Sequence, residues 1–137
     1  MDSARKLLVR QRAANCCEYC QLPQAAAPWF IFHVEHILPR QHGGTDDPSN
    51  LAFACPRCNA HKGTNLTGID PTTRKVTLLF HPRRQLWSRH FAWDGFRIVG
   101  KTRVGRATVV VLALNHPDHL STRYELRQSE LFPFVES

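Results

Sequence analysis

Four of the five cysteines form two pairs of identical spacing, Cys17-Glu18-Tyr19-Cys20 and Cys55-Pro56-Arg57-Cys58. A two-residue spacer lets both sulfurs of a pair face one ion. Together Cys17, Cys20, Cys55 and Cys58 can therefore close a tetrahedral Zn(Cys)₄ site around a structural Zn²⁺. The pairs are separated by residues 21–54, 34 positions, which exceeds the roughly 15 to 20 of a simple zinc ribbon, so something is inserted between the two halves of the site. Two other readings are a redox CxxC and four unrelated buried thiols. Redox motifs rarely come as distant pairs, and a reducing compartment disfavours disulfides. Cys16 is left over and reads as a packed thiol.

A chain of 137 residues with 42% hydrophobic and 21% charged residues suits one compact domain with a modest core and excludes wholesale disorder. The expected organisation is a single domain over 1–137, with a core of about 15–64 and an extension, 65–137, packed on it. The longest apolar run, Ala107 to Leu114, includes Thr108 and is far short of the roughly 20 residues that cross a bilayer. Met1-Asp2-Ser3-Ala4-Arg5-Lys6 does not lead into a secretory signal. The expected address is the cytoplasm, with no membrane partner.

Charge selects a partner class. Eighteen Lys and Arg against eleven Asp and Glu leave +7, and the isoelectric point is near 9.7. Fourteen of the eighteen are Arg, whose guanidinium forks onto phosphate oxygens in a way lysine cannot match. Nucleic acid is the favoured partner, and a merely basic soluble protein is the plain alternative.

Residues 3–14 read as an amphipathic helix with Ser3 as cap. Trp29 to His36 reads as a strand rich in aromatic and β-branched residues. Pro39 and the run Gly43-Gly44-Thr45-Asp46-Asp47-Pro48 predict a long loop, followed by a short strand over 51–54 and a short helix from Asn59 to about Thr64. Further on, 75–80 reads as a strand and 90–99 as a hairpin turning at Asp94-Gly95. For 108–114 strand and helix stay open, since Thr102 to Arg106 is a plausible helix start; 119–131 reads as helix.

The insert carries chemistry. Glu35 and His36 stand side by side at a strand end, and Asn59 follows Cys55 by four residues at a helix start. Adjacent strand side chains point to opposite faces, so one can bind a metal while its neighbour faces a water. Phosphodiester hydrolysis needs a water, a base for its proton and a cation for the developing charge. Each residue also has a plain role: His36 as a hydrogen-bonded structural histidine, Asn50 as a turn residue, Asn59 as a helix cap. His33 and His42 read as core or loop histidines, and Asp46 and Asp47 as solvated turn residues. Arg40, Arg57, Lys62, Arg83, Arg84 and Arg89 are candidate nucleic-acid contacts, or solvated surface charges.

From the first knuckle to about residue 64, with Glu35-His36-Ile37-Leu38-Pro39, Gly43-Gly44, Asn50-Leu51 and Cys58-Asn59-Ala60-His61-Lys62-Gly63 in register, the chain resembles the HNH endonuclease family. It is similar to those members whose ββα-metal unit is braced by four cysteines. The resemblance implies an α+β fold with a ββα-metal core, a C-terminal β-hairpin and helices. It implies His36 as general base, Glu35 as acidic ligand of a catalytic ion, Asn50 as the residue orienting the base through the loop, and Asn59 as second ligand. Glu35 stands where Asp is more usual. Asn59 in place of His favours Mg²⁺ or Mn²⁺ over zinc, and His61 is an auxiliary or substitute ligand. The implied activity is metal-dependent hydrolysis of DNA with no small-molecule cofactor. The alternatives are a catalytically inactive zinc-ribbon module that binds nucleic acid, and a zinc-stabilised protein-interaction domain. With one such site, the chain is expected to nick one strand at a time.

Overall fold

The computed structural model describes residues 1–130 as a mixture of helices and three two-stranded antiparallel sheets, an α+β fold. The chain divides into two compact units, 1–66 with 81–85, and 67–80 with the chain from Leu86 onward.

The first unit opens with helix α1 (Ser3–Arg12), capped by Asp2, whose carboxylate accepts from Arg5 N at 2.7 Å. Asp2 takes the capping role because its extended backbone aims the side chain at the first turn, which leaves Ser3 inside the helix. Strand β1 is His33–His36, shorter than expected. Residues 29–32 stay outside it, and Gln24, from the preceding 3₁₀ turn, donates its side-chain amide to the Phe30 carbonyl at 2.8 Å. β1 pairs with β2 (Leu51–Ala54) in the register Glu35↔Ala52 and His36↔Leu51. All four β2 residues are buried, and the Phe53 ring packs on Phe32 at 5.3 Å between centroids. Helix α2 (Pro56–Lys62) starts three residues earlier than expected. Cys55 supplies the cap through Sγ, which accepts from Cys58 N at 3.4 Å, and Pro56 takes the first helical position, where its missing N–H costs nothing.

The second unit adds β3 (Thr67–Ile69) paired with β4 (Val76–Leu78), helix α3 (Trp87–His90), the hairpin β5 (Phe91–Asp94) and β6 (Arg97–Gly100), and helices α4 (Arg103–Val111) and α5 (Pro117–Gln128). The 90–99 hairpin is present, with Gly95 and Phe96 between its paired ends Asp94 and Arg97 and Gly95 at φ +61°. The open choice for 108–114 resolves as helix as far as Val111, with a turn after it: Thr102 caps the helix by accepting from Gly105 N at 3.0 Å, and Thr108 Oγ1 bonds the Val104 carbonyl at 2.7 Å, which outweighs the β preference of its valines. α4 packs on β3 and β4. Gly68 permits this, since a Cβ there would lie 2.6 Å from Val111 Cγ2. In α5 the expected helix holds to Gln128, and the expected residue 131 lies outside the described residues. The strand at 67–69 and helix α3 had no clear sequence signal.

Asp70, in the turn between β3 and β4, is wholly buried. Its carboxylate accepts from Arg106 Nε and Nη2 at 2.8 and 2.9 Å, from Thr73 Oγ1 at 2.8 Å and from the Thr72 amide at 3.1 Å. These bonds, Arg106 first, hold it far below the ordinary carboxylate pKa against the opposing effect of burial. A depressed folded pKa stabilises at pH above the unfolded value, about 4, and that stability is lost as pH falls from there toward the folded value. Thermal midpoints followed from pH 7 to pH 2 should therefore fall more steeply for the parent than for Asp70→Asn; parallel acid limbs would contradict the assignment.

Candidate metal centre and catalytic loop

The two knuckles meet. The sulfurs of Cys17, Cys20, Cys55 and Cys58 all lie within 4.8 Å of one another, and all four residues are buried. Cys20 Sγ and Cys55 Sγ are 3.7 Å apart. That is far beyond a disulfide bond of about 2.05 Å, and it matches the edge of a tetrahedron, about 3.8 Å, that Zn–S bonds of about 2.3 Å generate. Thiols this close hydrogen-bond to one another, and Cys17 and Cys20 hold Cys55 and Cys58 well above the ordinary thiol pKa; a central dication reverses that balance by favouring thiolates. The donor set fits Zn²⁺. Among the described residues it is also the one group of three or more His, Cys, Asp or Glu placed to hold an ion.

The first knuckle is held by the tight turn Gln21 N to Cys17 O and by Cys17 N to Leu22 O, each 2.8 Å, with Gln21 at φ +67°. It is bonded to β2 through Glu18, whose amide donates to the Phe53 carbonyl at 2.8 Å and whose carboxylate accepts from Phe53 N at 2.7 Å. Arg83 pairs with the same carboxylate. Arg83 is only 14% exposed, so this expected phosphate contact is a structural partner of Glu18.

Glu35 projects inward from β1, 7% exposed. Tyr19, from the spacer of the first knuckle, donates its hydroxyl to Glu35 Oε1. Lys62, the last residue of α2, donates Nζ to Glu35 Oε2 at 3.0 Å and to the carbonyls of His36 and Ile37 at 3.2 and 3.1 Å. Burial pushes the Glu35 pKa up, and Lys62 and Tyr19 pull against it. Two sequence expectations change here. Lys62, expected on a nucleic-acid surface, is 2% exposed, because a buried carboxylate needs a cation beside it. Glu35, expected as a ligand of the catalytic ion, has both oxygens engaged. A second ion does not fit at Glu35 in this arrangement.

His36, next on the strand, faces the other way and is partly open, its side chain 19% exposed. Its Nε2 lies 2.7 Å from Asp46 Oδ1, and Arg40 Nη2 reaches both oxygens of Asp46 at 2.7 and 3.0 Å. The His36 hydrogen bond, then Arg40, holds Asp46 below its ordinary pKa although partial burial opposes them. Asn50 clasps the loop: Oδ1 accepts from Leu38 N at 2.8 Å, and Nδ2 donates to the carbonyls of Leu38 and Thr45 at 3.0 and 2.9 Å. Gly44 closes it, since a Cβ there would fall 1.6 Å from the Leu38 oxygen. Sequence reasoning assigned no role to Tyr19, and Asp46, expected as a solvated turn residue, is instead the partner of His36. No local pattern marks either, because Tyr19 reaches Glu35 sixteen positions away and Asp46 reaches His36 ten positions away.

Asn59 is half-buried on α2 and His61 is exposed on the same helix. Arg57 lies over the Phe30 ring at 5.0 Å. Arg40 is 64% exposed while paired with Asp46, Arg84 is exposed in the first unit, and Arg89 is exposed in the second.

Two outcomes are expected of this centre. Elemental analysis should find one tightly held zinc per chain, and Cys55→Ser should abolish the cooperative melt, since apparent zinc binding in small Cys-rich sites is on the order of 10 kcal/mol. Lys62→Met should cost about 3 to 5 kcal/mol in urea unfolding by stranding a buried carboxylate, and adding Glu35→Gln should recover most of it; a single mutant with parental stability would contradict the buried pair.

The HNH endonuclease family model matches residues 17–65, the segment that holds both knuckles, Glu35, His36, Asn50 and Asn59. The chain is also 30% identical over 117 residues to Septu protein PtuB of Bacillus thuringiensis, an alignment covering 84% of this chain and 42% of that protein. The chain thus spans less than half the length of that relative, and the similarity extends beyond the 49 positions of the family match. No solved structure matches. Among the described residues, no helix is long and apolar enough to cross a membrane. Over residues 17–65, the chain is similar to the HNH endonuclease family.

Proposed function

We propose that the protein is an endonuclease that hydrolyses DNA phosphodiester bonds with His36 as general base, leaving 5′-phosphate and 3′-hydroxyl ends. The observation that carries this reading is His36 itself: an imidazole at the end of β1, partly open, with one ring nitrogen held at 2.7 Å by a carboxylate and so with the other left for a water. Asn50 supports it by fixing the loop from Leu38 to Thr45 through three hydrogen bonds. The excess of arginine, fourteen residues in a chain of net charge +7, suits a phosphate backbone.

The divalent ion that the family resemblance implies, Mg²⁺ or Mn²⁺, is part of the proposal as a requirement of the reaction. It has no open seat at Glu35, and no step here is assigned to it. That same engagement of Glu35 by Lys62 favours a second reading, in which the domain binds nucleic acid without cutting. The two separate in one experiment: supercoiled plasmid incubated with the zinc-loaded protein and graded Mg²⁺ or Mn²⁺. Cleavage that EDTA stops supports the nuclease, and binding without cleavage in either ion supports the second reading. One His36 site per chain predicts open-circle plasmid accumulating before linear product.

In the nuclease reading, His36→Ala removes proton abstraction and leaves the zinc site and the basic surface in place. Cleavage should fall by about 10² to 10⁴ while plasmid affinity stays within about twofold. A His36→Ala protein that nicks at the parental rate would exclude His36 as the base.

A further inference from the structure

Asp46 and Asp47 are adjacent acids in one loop, and the loop uses only one of them to turn. Asp47 Oδ1 accepts from Ser49 N at 2.9 Å and from Ser49 Oγ at 2.8 Å, and so caps the 3₁₀ turn Pro48–Asn50. Asp46 makes no such bond. Its carboxylate is directed at His36 Nε2, 2.7 Å away, and Arg40 grips both its oxygens from the other side. The chain from 36 to 46 returns to its start because Gly44 fits against the Leu38 carbonyl and Asn50 ties Thr45 to Leu38. The loop is thereby built to bring an anion to the imidazole.

We infer that Asp46 is a positioning residue for the reaction at His36, holding the ring in the tautomer protonated at Nε2 so that Nδ1 is the basic atom. An ionised carboxylate can only accept, so the nitrogen facing it carries the hydrogen. Nδ1 then has a free lone pair for a water. When Nδ1 takes a proton from that water, the water oxygen bonds to phosphorus and the bond from phosphorus to the 3′-oxygen breaks, the departing oxygen gaining a proton from solvent. The imidazolium left behind lies against the Asp46 carboxylate. Arg40 fixes the carboxylate, which assigns this arginine a role besides any contact with phosphate. The inference rests on the reading of His36 as base and adds the group that orients it.

The contact and its use are tested separately. In zinc-loaded protein at a pH where His36 is neutral, long-range ¹⁵N–¹H spectra should show a protonated-type Nε2 and an unprotonated-type Nδ1 for His36, and Asp46→Asn should shift the ring toward a mixture of tautomers. Asp46→Asn should lower kcat for plasmid nicking by about 10² to 10⁴, the range set by removing an orienting carboxylate from a catalytic imidazole, with KM within about twofold and zinc content unchanged. Asp46→Glu should recover part of kcat. A parent ring protonated on Nδ1, or an Asp46→Asn protein with parental kcat, would overturn the inference. A parent that cuts no DNA in either ion, with His36 still on the Nε2–H tautomer, would instead defeat the nuclease reading and reduce the contact to a structural one, overturning the positioning role by a separate route.

Discussion

Four sulfurs within 4.8 Å of one another close the segment from Cys17 to Cys58, and the rest of the first unit is arranged by that closure. Each knuckle delivers a side chain besides its cysteines. The spacer of the first carries Tyr19, which reaches Glu35, and Glu18, which is bonded to the backbone of β2. The second knuckle is itself the start of α2, because Cys55 is both a member of the four-sulfur cluster and the helix cap, so the orientation of α2 follows from the sulfur positions. Lys62 then leaves the far end of α2 and donates to Glu35 and to the carbonyls of His36 and Ile37. The strand end bearing His36 is thus fixed from both sides of the metal centre.

Neighbouring strand residues divide the work. Glu35 turns into the protein, where the low dielectric requires a cation and a hydroxyl beside it. His36 turns toward the loop, where Asp46, Arg40 and Asn50 assemble around it. The buried pair holds the backbone, and the open side holds the imidazole. A carboxylate already neutralised by an internal ammonium is a poor ligand for a second ion, which makes the behaviour of this domain toward Mg²⁺ and Mn²⁺ the point where the cutting and the merely binding readings diverge.

Much of this was legible in the sequence. The paired CxxC spacing announces its chemistry because two residues suffice to aim two thiolates at one point, and β2 is legible because four consecutive apolar residues suit a strand buried on both faces. The roles of Lys62, Arg83 and Asp46 were not. Charged residues read as surface by default, and what overrides that is a partner distant in the chain: Lys62 to Glu35, Arg83 to Glu18, Asp46 to His36. In the second unit, β3 is three residues around a glycine that exists to let α4 approach, too short for periodicity to register. The valines of α4 favour strand locally, and the cap at Thr102 with packing on the hairpin decides for helix.

The central claim is that one ion held by Cys17, Cys20, Cys55 and Cys58 organises this unit. The most direct measurement is zinc K-edge X-ray absorption on the purified protein. The account predicts a single shell of four sulfurs at about 2.3 Å. A shell of mixed sulfur with nitrogen or oxygen, or protein whose four cysteines are paired as disulfides with no zinc edge, would contradict it.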